Sequence, residues 1–212
     1  VIYDMERVGE YVLLNAINNM AAQGAILSEI AVVLLLPDRT EEKEIGIIMT
    51  KITAQCKLHN VALIAGHTEL TNAVNQGVIT VTGYGEVSPA YSPQKPDDGE
   101  AIIATRWAGM QGTALLYDRF YNTLCKTYKE SFVREGQKFH QYLCLEEEGE
   151  VGTRCQVSVM HDAGHGGILG ALWELGTRLK MGISVDLEKI PLRTQTIEVC
   201  ETLNINPYQL HS

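Results

Sequence analysis

We predict an α+β protein with α/β-like order, built as two domains, from two features of the 212-residue sequence. Apolar runs of strand length alternate with segments whose apolar residues recur at helical spacing, as expected for helices packed on a sheet. A proline-rich stretch, residues 88–99, interrupts this alternation and ends in Pro-Asp-Asp-Gly. Because proline and glycine favour turns and linkers, we predict domains at residues 1–89 and 90–212.

The first domain is predicted to contain two helices and three strands. Residues 4–23 carry their apolar side chains on one side, and Gly24 then supplies a helix stop. A second helix runs through Lys57, and Asp38 or Thr40 is the predicted cap at its start. The predicted strands are 30–36, 61–65 and 78–83.

The second domain is predicted to alternate in the same way. Its candidate strands are 101–104, 156–160 and 183–187. Its candidate helices begin at Gly112-Thr113, span 120–145, follow a loop at 161–167, and lie between Pro191 and Asn206. We interpret the acidic run at 146–150 as a solvated loop, because blocks of like charge are usually exposed.

Composition and charge narrow the functional classes. A formal net charge of −9 argues against a general nucleic-acid binder, which normally presents a basic face. No window reaches the roughly 18 uninterrupted apolar residues of a membrane span. The five cysteines are scattered without a C-x-x-C pair, so the sequence signals neither a zinc site nor a disulfide framework. We therefore expect a cytoplasmic protein with reduced thiols, no nucleic-acid partner and no membrane segment.

The most distinctive stretch is His161-Asp162-Ala163-Gly164-His165-Gly166-Gly167, between a predicted strand and a predicted helix. The free N–H groups and the dipole at a helix start favour an anion, usually a phosphate or a carboxylate. A tight turn explains the glycines equally well, because glycine permits backbone angles that other residues avoid. The loop alone does not decide between these two interpretations.

Three further stretches carry candidate ligands. Gly66-His67-Thr68-Glu69 is a polar cluster after a predicted strand, and its side chains either ligate a metal, orient phosphate oxygens or serve a turn. Asn18 and Asn19, near the end of the first helix, either face a ligand or are simply solvated. Gly109 to Thr113 forms a second strand-to-helix loop, where glycine allows either close backbone approach or a turn.

Together these stretches resemble the PurM-like, AIR synthase-related ATP-binding superfamily, and within it they are most similar to the hydrogenase maturation factor HypE. Residues 18–25 resemble the family's Asn-Asp-(apolar)-Ala-x-x-Gly-Ala element, and residues 65–69 its Gly-Gly-(Asp/His/Glu)-Thr loop. Residues 95–114 are similar to the linker, strand and helix that open the second domain. Residues 161–167 resemble the HypE loop Arg-Asp-Pro-Thr-Arg-Gly-Gly, and residues 190–207 also resemble HypE.

The resemblance implies an N-terminal domain that pairs across a homodimer in a β-barrel, and an α/β C-terminal domain packed on it. ATP would lie in the cleft with Mg²⁺ bridging its phosphates, and the reaction would phosphorylate an amide or carbamoyl oxygen. A maturation protein would be a further partner. The implied catalytic residues are His67, Glu69 and Asp162, and the implied metal ligands are Asn19, His67 and Glu69. The implied nucleotide-binding residues are Asn18, Asn19, Gly66, Thr68, Gly112, Thr113, His165, Gly166 and Gly167.

The sequence departs from the family pattern at several positions. Asn19 stands where the family has a magnesium-binding aspartate, and an amide oxygen brings no charge to the metal. His67 replaces the usual acidic residue, and Ala163 replaces proline. His165 stands where the family has arginine, and an imidazole is only partly charged near pH 7. The family's N-terminal lysine, glycine and aspartate elements and the C-terminal cysteine tail of HypE have no counterpart, so we expect a trimmed or diverged chain.

Three functional hypotheses follow. The first is a HypE-like enzyme that uses ATP and Mg²⁺ for phosphoryl transfer in hydrogenase maturation. The second is a non-catalytic paralogue that binds a nucleotide or a partner, which the substitutions at Asn19, His67 and His165 favour. The third is an α/β scaffold whose loops match the family by chance. Magnesium-dependent ATP binding and hydrolysis distinguish the three.

Overall fold

The computed structural model describes residues 7–212, and its internal contacts divide the chain into two units. Unit 1 comprises the chain up to Ser92 together with Leu145–Met160. Unit 2 comprises Pro93–Cys144 and His161–Ser212. The predicted mixture of helices and strands is confirmed. Our division of the sequence at residues 89 and 90 stays a prediction.

Unit 1 is built on a three-stranded sheet with the order β2-β1-β3. β1 (Ala25–Pro37) pairs in parallel with β2 (Ala62–Thr71) and antiparallel with β3 (Val78–Val87). The helix α1 (Val8–Ala21) precedes β1, and α2 (Glu42–Leu58) connects β1 to β2. These helices confirm the predictions within the described chain, and residues 4–6, where the first predicted helix begins, lie outside the described residues. The sheet is open in the described chain, so the β-barrel stays a proposal.

The core of unit 1 lies between α1 and one face of β1. Ile30, Val32 and Leu34 alternate along β1, and none is more than 1% exposed. Alternation at a period of two places all three side chains on one face of the strand. α1 packs on that face and crosses α2 at Gly9, where an added Cβ would collide with the backbone of Lys51. The absence of a side chain at Gly9 therefore permits the two helices to approach closely.

Two predictions about α2 and β2 need correction. The helix α2 is capped by Glu41 rather than by Asp38 or Thr40, because the Glu41 backbone N–H donates to the Glu44 carboxylate in a capping box. β2 is longer than the predicted strand at 61–65. Gly66 to Glu69 therefore lies within the strand rather than after it, because all four residues pair with β1.

The acidic run at 146–150 forms a helix rather than the predicted loop. It opens α6 (Glu146–Arg154), whose first turn contains three glutamates. Negative charge at a helix N-terminus is favoured by the unpaired N–H groups and the helix dipole. Gly149 faces α1 at Ala21, and Glu146 lies 3.4 Å from His59. The composition of this run predicted exposure to solvent. These contacts instead pack one side of the helix on Ala21 and His59 within unit 1.

Unit 2 is helical in the described chain. Its α-helices are α3 (Met110–Arg119), α4 (Tyr121–Leu124), α5 (Glu130–Gln137), α7 (Gly167–Leu179) and α8 (Thr194–Leu203). Short 3₁₀ turns lie at Lys138–Tyr142, Leu187–Lys189 and Pro207–Gln209. The predicted helices at the starts of α3, α7 and α8 are confirmed. The predicted continuous helix at 120–145 is wrong, because Lys129 adopts an extended conformation between α4 and α5.

Three segments that we predicted as strands, two in unit 2 and one at the end of unit 1, are not strands. After α6, Val157 donates its N–H to the Gly152 carbonyl, so residues 156–160 close a turn instead of pairing in a sheet. Asp186 accepts a hydrogen bond from the Glu188 N–H and starts a 3₁₀ turn, which ends the run at 183–187. The run at 101–104 has no strand partner among the described residues, and Ile103 is 82% exposed. An apolar run of strand length therefore does not form a strand without a neighbour to pair with.

The core of unit 2 joins α3, α5 and α8. Its fully buried members are Tyr117, Leu124, Val133, Val199 and Cys200. Burial raises the pKa of Cys200 to about 11, so this thiol is protonated at neutral pH. All five cysteines are free thiols, as predicted. None of the described helices has both the length and the apolar character needed to cross a membrane.

We predict that Gly9→Ala lowers the free energy of unfolding by about 1–3 kcal/mol, because the added methyl group meets backbone atoms of α2. Gly46→Ala is the matched control, since Gly46 lies in the same helix pair with open space around it. It should instead raise the free energy of unfolding by about 0.5–1 kcal/mol through helix propensity. Urea denaturation measures both, and equal stability of the two variants would contradict the close crossing.

Candidate functional site

His67 and Glu69 lie together on the exposed face of the unit 1 sheet. They are two residues apart on β2 and pair with Val33 and Leu35 of β1. The His67 Nε2 atom is 3.5 Å from the Glu69 Oε2 atom, and the two side chains are 63% and 55% exposed. An exposed ion pair of this kind contributes about 0–1 kcal/mol. Both groups are therefore available to a ligand at small energetic cost.

Gly66 and Thr68 alternate with this pair and project to the other face of β2. Thr68 pairs with Leu34 and Gly66 with Val32, both on the buried face of β1. Because β2 is an edge strand, Gly66 and Thr68 are nevertheless exposed. The four predicted residues are thus divided between two faces of the strand. Their side chains do not converge on one point.

Asn18 and Asn19 differ in their surroundings. The Asn18 Oδ1 atom accepts a hydrogen bond of 2.9 Å from the Leu145 N–H, directly before α6. This bond holds the start of α6 against α1. Asn19 is exposed on α1. The structure therefore gives Asn18 a structural role within unit 1, while the Asn19 amide stays accessible.

The glycine loop at 161–167 leads directly into α7. Gly166 caps the helix with φ 80, and Gly167 follows with φ 63. Only glycine adopts these left-handed angles without strain. The Gly167 N–H donates to the Gly164 carbonyl at 3.1 Å, which closes the turn. The tight turn and the helix start that the sequence indicated are both present in this loop.

His161 orders the first part of this loop. Its Nδ1 atom lies 2.6 Å from the Asp162 carbonyl oxygen, and its Nε2 atom lies 3.2 Å from the Glu174 carboxylate on α7. These contacts occupy both ring nitrogens. The Asp162 carboxylate is 22% exposed and lies 3.9 Å from the His161 Nδ1 atom. Asp162 is thus the accessible carboxylate of the loop, and His161 positions its backbone.

The second glycine loop makes its hydrogen bonds within unit 2. The Thr113 hydroxyl is buried, donates to the Gly109 carbonyl at 2.7 Å and lies 2.9 Å from the Thr196 hydroxyl. The Gly112 N–H donates to the His211 carbonyl at 2.8 Å. Polar groups of Gly112 and Thr113 are therefore already paired within unit 2. A role of either residue in nucleotide binding stays a prediction.

Sequence reasoning missed the segment that pairs with Gly112. We call residues 206–212 the strap. It contains the 3₁₀ turn Pro207–Gln209, which starts where the Asn206 side chain accepts from the Tyr208 N–H at 3.0 Å. The Asn-Pro pair was the available signal, since both residues favour turns. The strap contacts the loops at 109–113 and 161–167, so it brings these two predicted loops together within unit 2.

The predicted site residues therefore form two groups. Asn18, Asn19, Gly66, His67, Thr68 and Glu69 belong to unit 1. Gly112, Thr113, Asp162, His165, Gly166 and Gly167 belong to unit 2. Within unit 2 the loop residues 161–167 and the strap are in direct contact.

We predict that Thr113→Val lowers the free energy of unfolding by about 1–3 kcal/mol, because the isosteric change leaves the Thr196 hydroxyl and the Gly109 carbonyl without this partner. Thr113→Ser keeps the hydroxyl and should retain most of the stability. Thermal or urea unfolding measures both variants. A Thr113→Val protein as stable as the Thr113→Ser protein would contradict the structural role of this hydroxyl.

A comparison with protein families identifies the first part of the chain. Residues 1–87 match the family described as AIR synthase related protein, N-terminal domain. This match covers α1, the whole three-stranded sheet and the His67–Glu69 pair. Unit 1 is therefore similar to the N-terminal domain of that family over the matched residues.

Curated relatives extend the likeness along the chain. A putative hydrogenase expression/formation protein of Methanocaldococcus jannaschii is 25% identical over 94% of this chain and 58% of its own length. A carbamoyl dehydratase HypE of Rhodobacter capsulatus is 19% identical over 96% of this chain and 58% of its own length. The chain thus spans somewhat more than half the length of the curated relatives that it matches.

Solved structures share the fold. HypE in complex with ATP superposes with a TM-score of 0.75 at 18% identity, over 96% of this chain and 60% of that one. A HypE–HypF complex gives 0.74 at 17% identity, over 96% and 66%. An Aquifex aeolicus ThiL complexed with AMPPCP and TMP gives 0.71 at 19% identity, over 99% and 66%. The structures show a shared fold, and together with the family match and the curated relatives they confirm the resemblance to the PurM-like, AIR synthase-related superfamily.

Proposed function

We propose that this chain, with its AIR synthase-related N-terminal domain, binds ATP with Mg²⁺ and transfers the terminal phosphoryl group to an amide or carbamoyl oxygen. The observation that carries the proposal is the glycine loop at 161–167, which combines a helix start, left-handed glycines and an accessible carboxylate. Helix starts of this kind bind phosphate through backbone N–H groups. The names of the relatives, which include a carbamoyl dehydratase and an ATP complex, support the choice of reaction.

The donors of unit 1 are compatible with magnesium through their oxygen atoms. Mg²⁺ prefers carboxylate, amide and water oxygens, which Glu69 and Asn19 supply. An imidazole nitrogen suits Mg²⁺ less well, so we assign His67 to phosphate oxygens, although it was also a predicted metal ligand. The His67 imidazole is exposed beside Glu69 and has an N–H to donate. Bound magnesium would neutralise charge that develops on the phosphates.

Phosphoryl transfer of this kind needs positioning and charge neutralisation rather than a protein nucleophile. The bond between the terminal phosphorus and the bridging oxygen of ATP breaks, ADP leaves, and the acceptor oxygen bonds to phosphorus. We assign Asp162 to the acceptor, because its carboxylate can accept the proton that an amide nitrogen loses as its oxygen is phosphorylated. We assign Gly166 and His165 to the phosphates. The Gly167 N–H already donates to the Gly164 carbonyl, so a nucleotide contact by Gly167 stays a prediction. Nucleotide contacts by Asn18, Gly66, Thr68, Gly112 and Thr113 stay predictions.

A non-catalytic, nucleotide-binding or partner-binding role is the second candidate. Two features favour it: Asn19 supplies no charge to a metal, and the side chains of His67 and Glu69 are both more than half exposed. The likeness to a HypE–HypF complex suggests a maturation protein as the partner. ATP binding without hydrolysis would identify this role.

We also propose a homodimer through the part of the exposed face of the unit 1 sheet that β1 and β3 form. Large apolar side chains are exposed on this face, among them Val33, Val78 and Tyr84 at 36%, 45% and 48%. Exposed apolar patches of this kind often mark interfaces. Sedimentation velocity measures the mass in solution, and a monomer at micromolar concentration would contradict the dimer.

We predict that Asp162→Ala lowers turnover by about a hundredfold or more and changes ATP affinity little, because we assign this carboxylate to the proton of the acceptor rather than to the phosphates. The stability of the variant should be unchanged, because the Asp162 carbonyl, rather than its carboxylate, receives the short His161 hydrogen bond. Isothermal titration calorimetry with and without Mg²⁺ measures the affinity. Asp98→Ala, an exposed aspartate of the same unit, is the control and should bind like the parent protein.

The outcomes separate the candidates. Binding with hydrolysis supports the enzyme, and binding without hydrolysis supports the paralogue. No binding at millimolar ATP contradicts both. Equal turnover of Asp162→Ala and Asp98→Ala would contradict the assignment of Asp162 to the acceptor.

A further inference from the structure

The loop at 161–167 folds back along α7 and contacts the helix at two successive turns. A Cβ on Gly170 would lie 2.8 Å from the His165 carbonyl oxygen, so the missing side chain lets the loop pass close to the helix. One turn further along, the Glu174 Oε2 atom lies 3.2 Å from the His161 Nε2 atom. The first residue of the loop is therefore anchored to a side chain of α7.

His161 meets a hydrogen-bond acceptor at each of its ring nitrogens. The Nδ1 atom lies 2.6 Å from the Asp162 carbonyl oxygen, and the Nε2 atom faces the Glu174 carboxylate. A carbonyl oxygen and an ionised carboxylate accept hydrogen bonds but do not donate them. A neutral imidazole carries one N–H group, so it can donate to only one of these two partners. Both contacts are hydrogen bonds at once when both ring nitrogens carry a proton.

The Asp162 carboxylate is left out of this arrangement. Its Oδ1 atom is 3.9 Å from the His161 Nδ1 atom, which is beyond hydrogen-bond distance. Among the described residues, Asp162 on the loop and Glu174 on α7 supply the carboxylates within 4.0 Å of the His161 ring. From the strap, His211 hydrogen-bonds the Gly164 backbone and acts electrostatically on Asp162. His161 thus holds the backbone of Asp162 and leaves its carboxylate available.

We propose that Glu174 is a positioning residue, which acts through His161 to hold the Asp162 backbone and so sets the direction of the Asp162 carboxylate. The contacts run from a helix to the loop through one side chain, and a helix supports a functional group more precisely than a loop does. The inference rests on the proposed function only for the reaction that Asp162 serves. The support of the loop by α7 does not depend on that reaction.

Glu174→Ala removes the partner of the His161 Nε2 atom and frees the start of the loop. Because a misplacement of about 1 Å can slow a reaction by up to about a hundredfold, we expect turnover to fall about tenfold. The KM for ATP should change by less than about twofold, because we assign Asp162 to the acceptor rather than to the phosphates. A split of this kind between kcat and KM distinguishes positioning of Asp162 from a general loss of structure.

Glu174→Gln separates hydrogen bonding from charge. An amide accepts a hydrogen bond from a protonated Nε2 atom and donates one to an unprotonated Nε2 atom, so the contact with His161 no longer needs a second proton. Imidazoles change their charge between about pH 5 and 8. In the parent protein the contact is complete at the lower pH and weakens as the pH rises. The ratio of parent turnover to Glu174→Gln turnover should therefore fall about twofold or more between about pH 6 and pH 8.

The test measures phosphate release from ATP by the intact protein at both pH values, together with NMR spectra recorded without ligand. Glu201→Ala is the matched control, because Glu201 is an exposed glutamate on α8 of the same unit. Glu174→Ala should shift the ring nitrogen resonances of His161 and the amide resonances of residues 162–165, and Glu201→Ala should leave them unchanged. If Glu174→Ala does not fold, the nearly isosteric Glu174→Gln still gives the pH dependence and the ring signature.

The outcomes separate the role of Glu174 from the proposed function. Equal turnover of Glu174→Ala and Glu201→Ala overturns the role of Glu174 and leaves the proposed function intact. A higher KM with unchanged kcat in Glu174→Ala also overturns that role, since the contact would then support ATP binding. A parent protein that does not bind ATP contradicts the proposed function, and the amide resonances of residues 162–165 then decide the role of Glu174: shifts specific to Glu174→Ala support it, and unchanged resonances overturn it.

Discussion

The pairing of β1 along both of its edges is the constraint on which unit 1 depends. β1 is a 13-residue strand whose buried residues face α1, and its backbone N–H and carbonyl groups need partners on each side. β2 satisfies one edge in parallel and β3 the other in antiparallel orientation. Because side chains alternate along β2, the same register that satisfies β1 projects His67 and Glu69 away from α1. The candidate ligand pair is thus positioned by backbone pairing.

In unit 2 the corresponding constraint is the close approach of the strap to the backbone at two glycines. Glycine at a strand-to-helix loop is usually discussed as a way to admit a phosphate. Here Gly112 and Gly167 admit the strap, and Gly166 supplies a left-handed cap for α7. In the loop at 161–167 the Gly167 N–H donates to the Gly164 carbonyl, so these glycines close the turn from which α7 starts.

The sequence predicted correctly those helices that depend on residues close to one another in the chain. Helical spacing located α1, α2 and α8, and the glycine loop located the start of α7. The failures concern segments that need a distant partner. The run at 101–104 has strand composition but no neighbouring strand in the described chain, and the acidic run at 146–150 is helical because Gly149 packs on Ala21. Pairing and packing of this kind join residues far apart in sequence, so spacing cannot reveal them.

Some features of the candidate site could be predicted from the sequence, and others could not. The chemistry of His67, Glu69 and Asp162 was evident from residue type, and the structure adds their exposure and their neighbours. The buried hydroxyl of Thr113 and the bond from Asn18 to α6 were not evident, because both depend on tertiary contacts. The contribution of the strap was missed for the same reason, since it depends on carbonyl groups that every residue carries.

The central claim is that the loop at 161–167 binds the phosphates of a nucleotide. Amide chemical-shift mapping of the intact protein with a non-hydrolysable ATP analogue and Mg²⁺ tests it most directly. We expect the largest shifts at the amides of residues 164–168, with smaller ones at His67 and Glu69 from the metal ion and the phosphates. Saturable shifts confined to other parts of the chain, with residues 161–167 unchanged, would contradict the claim.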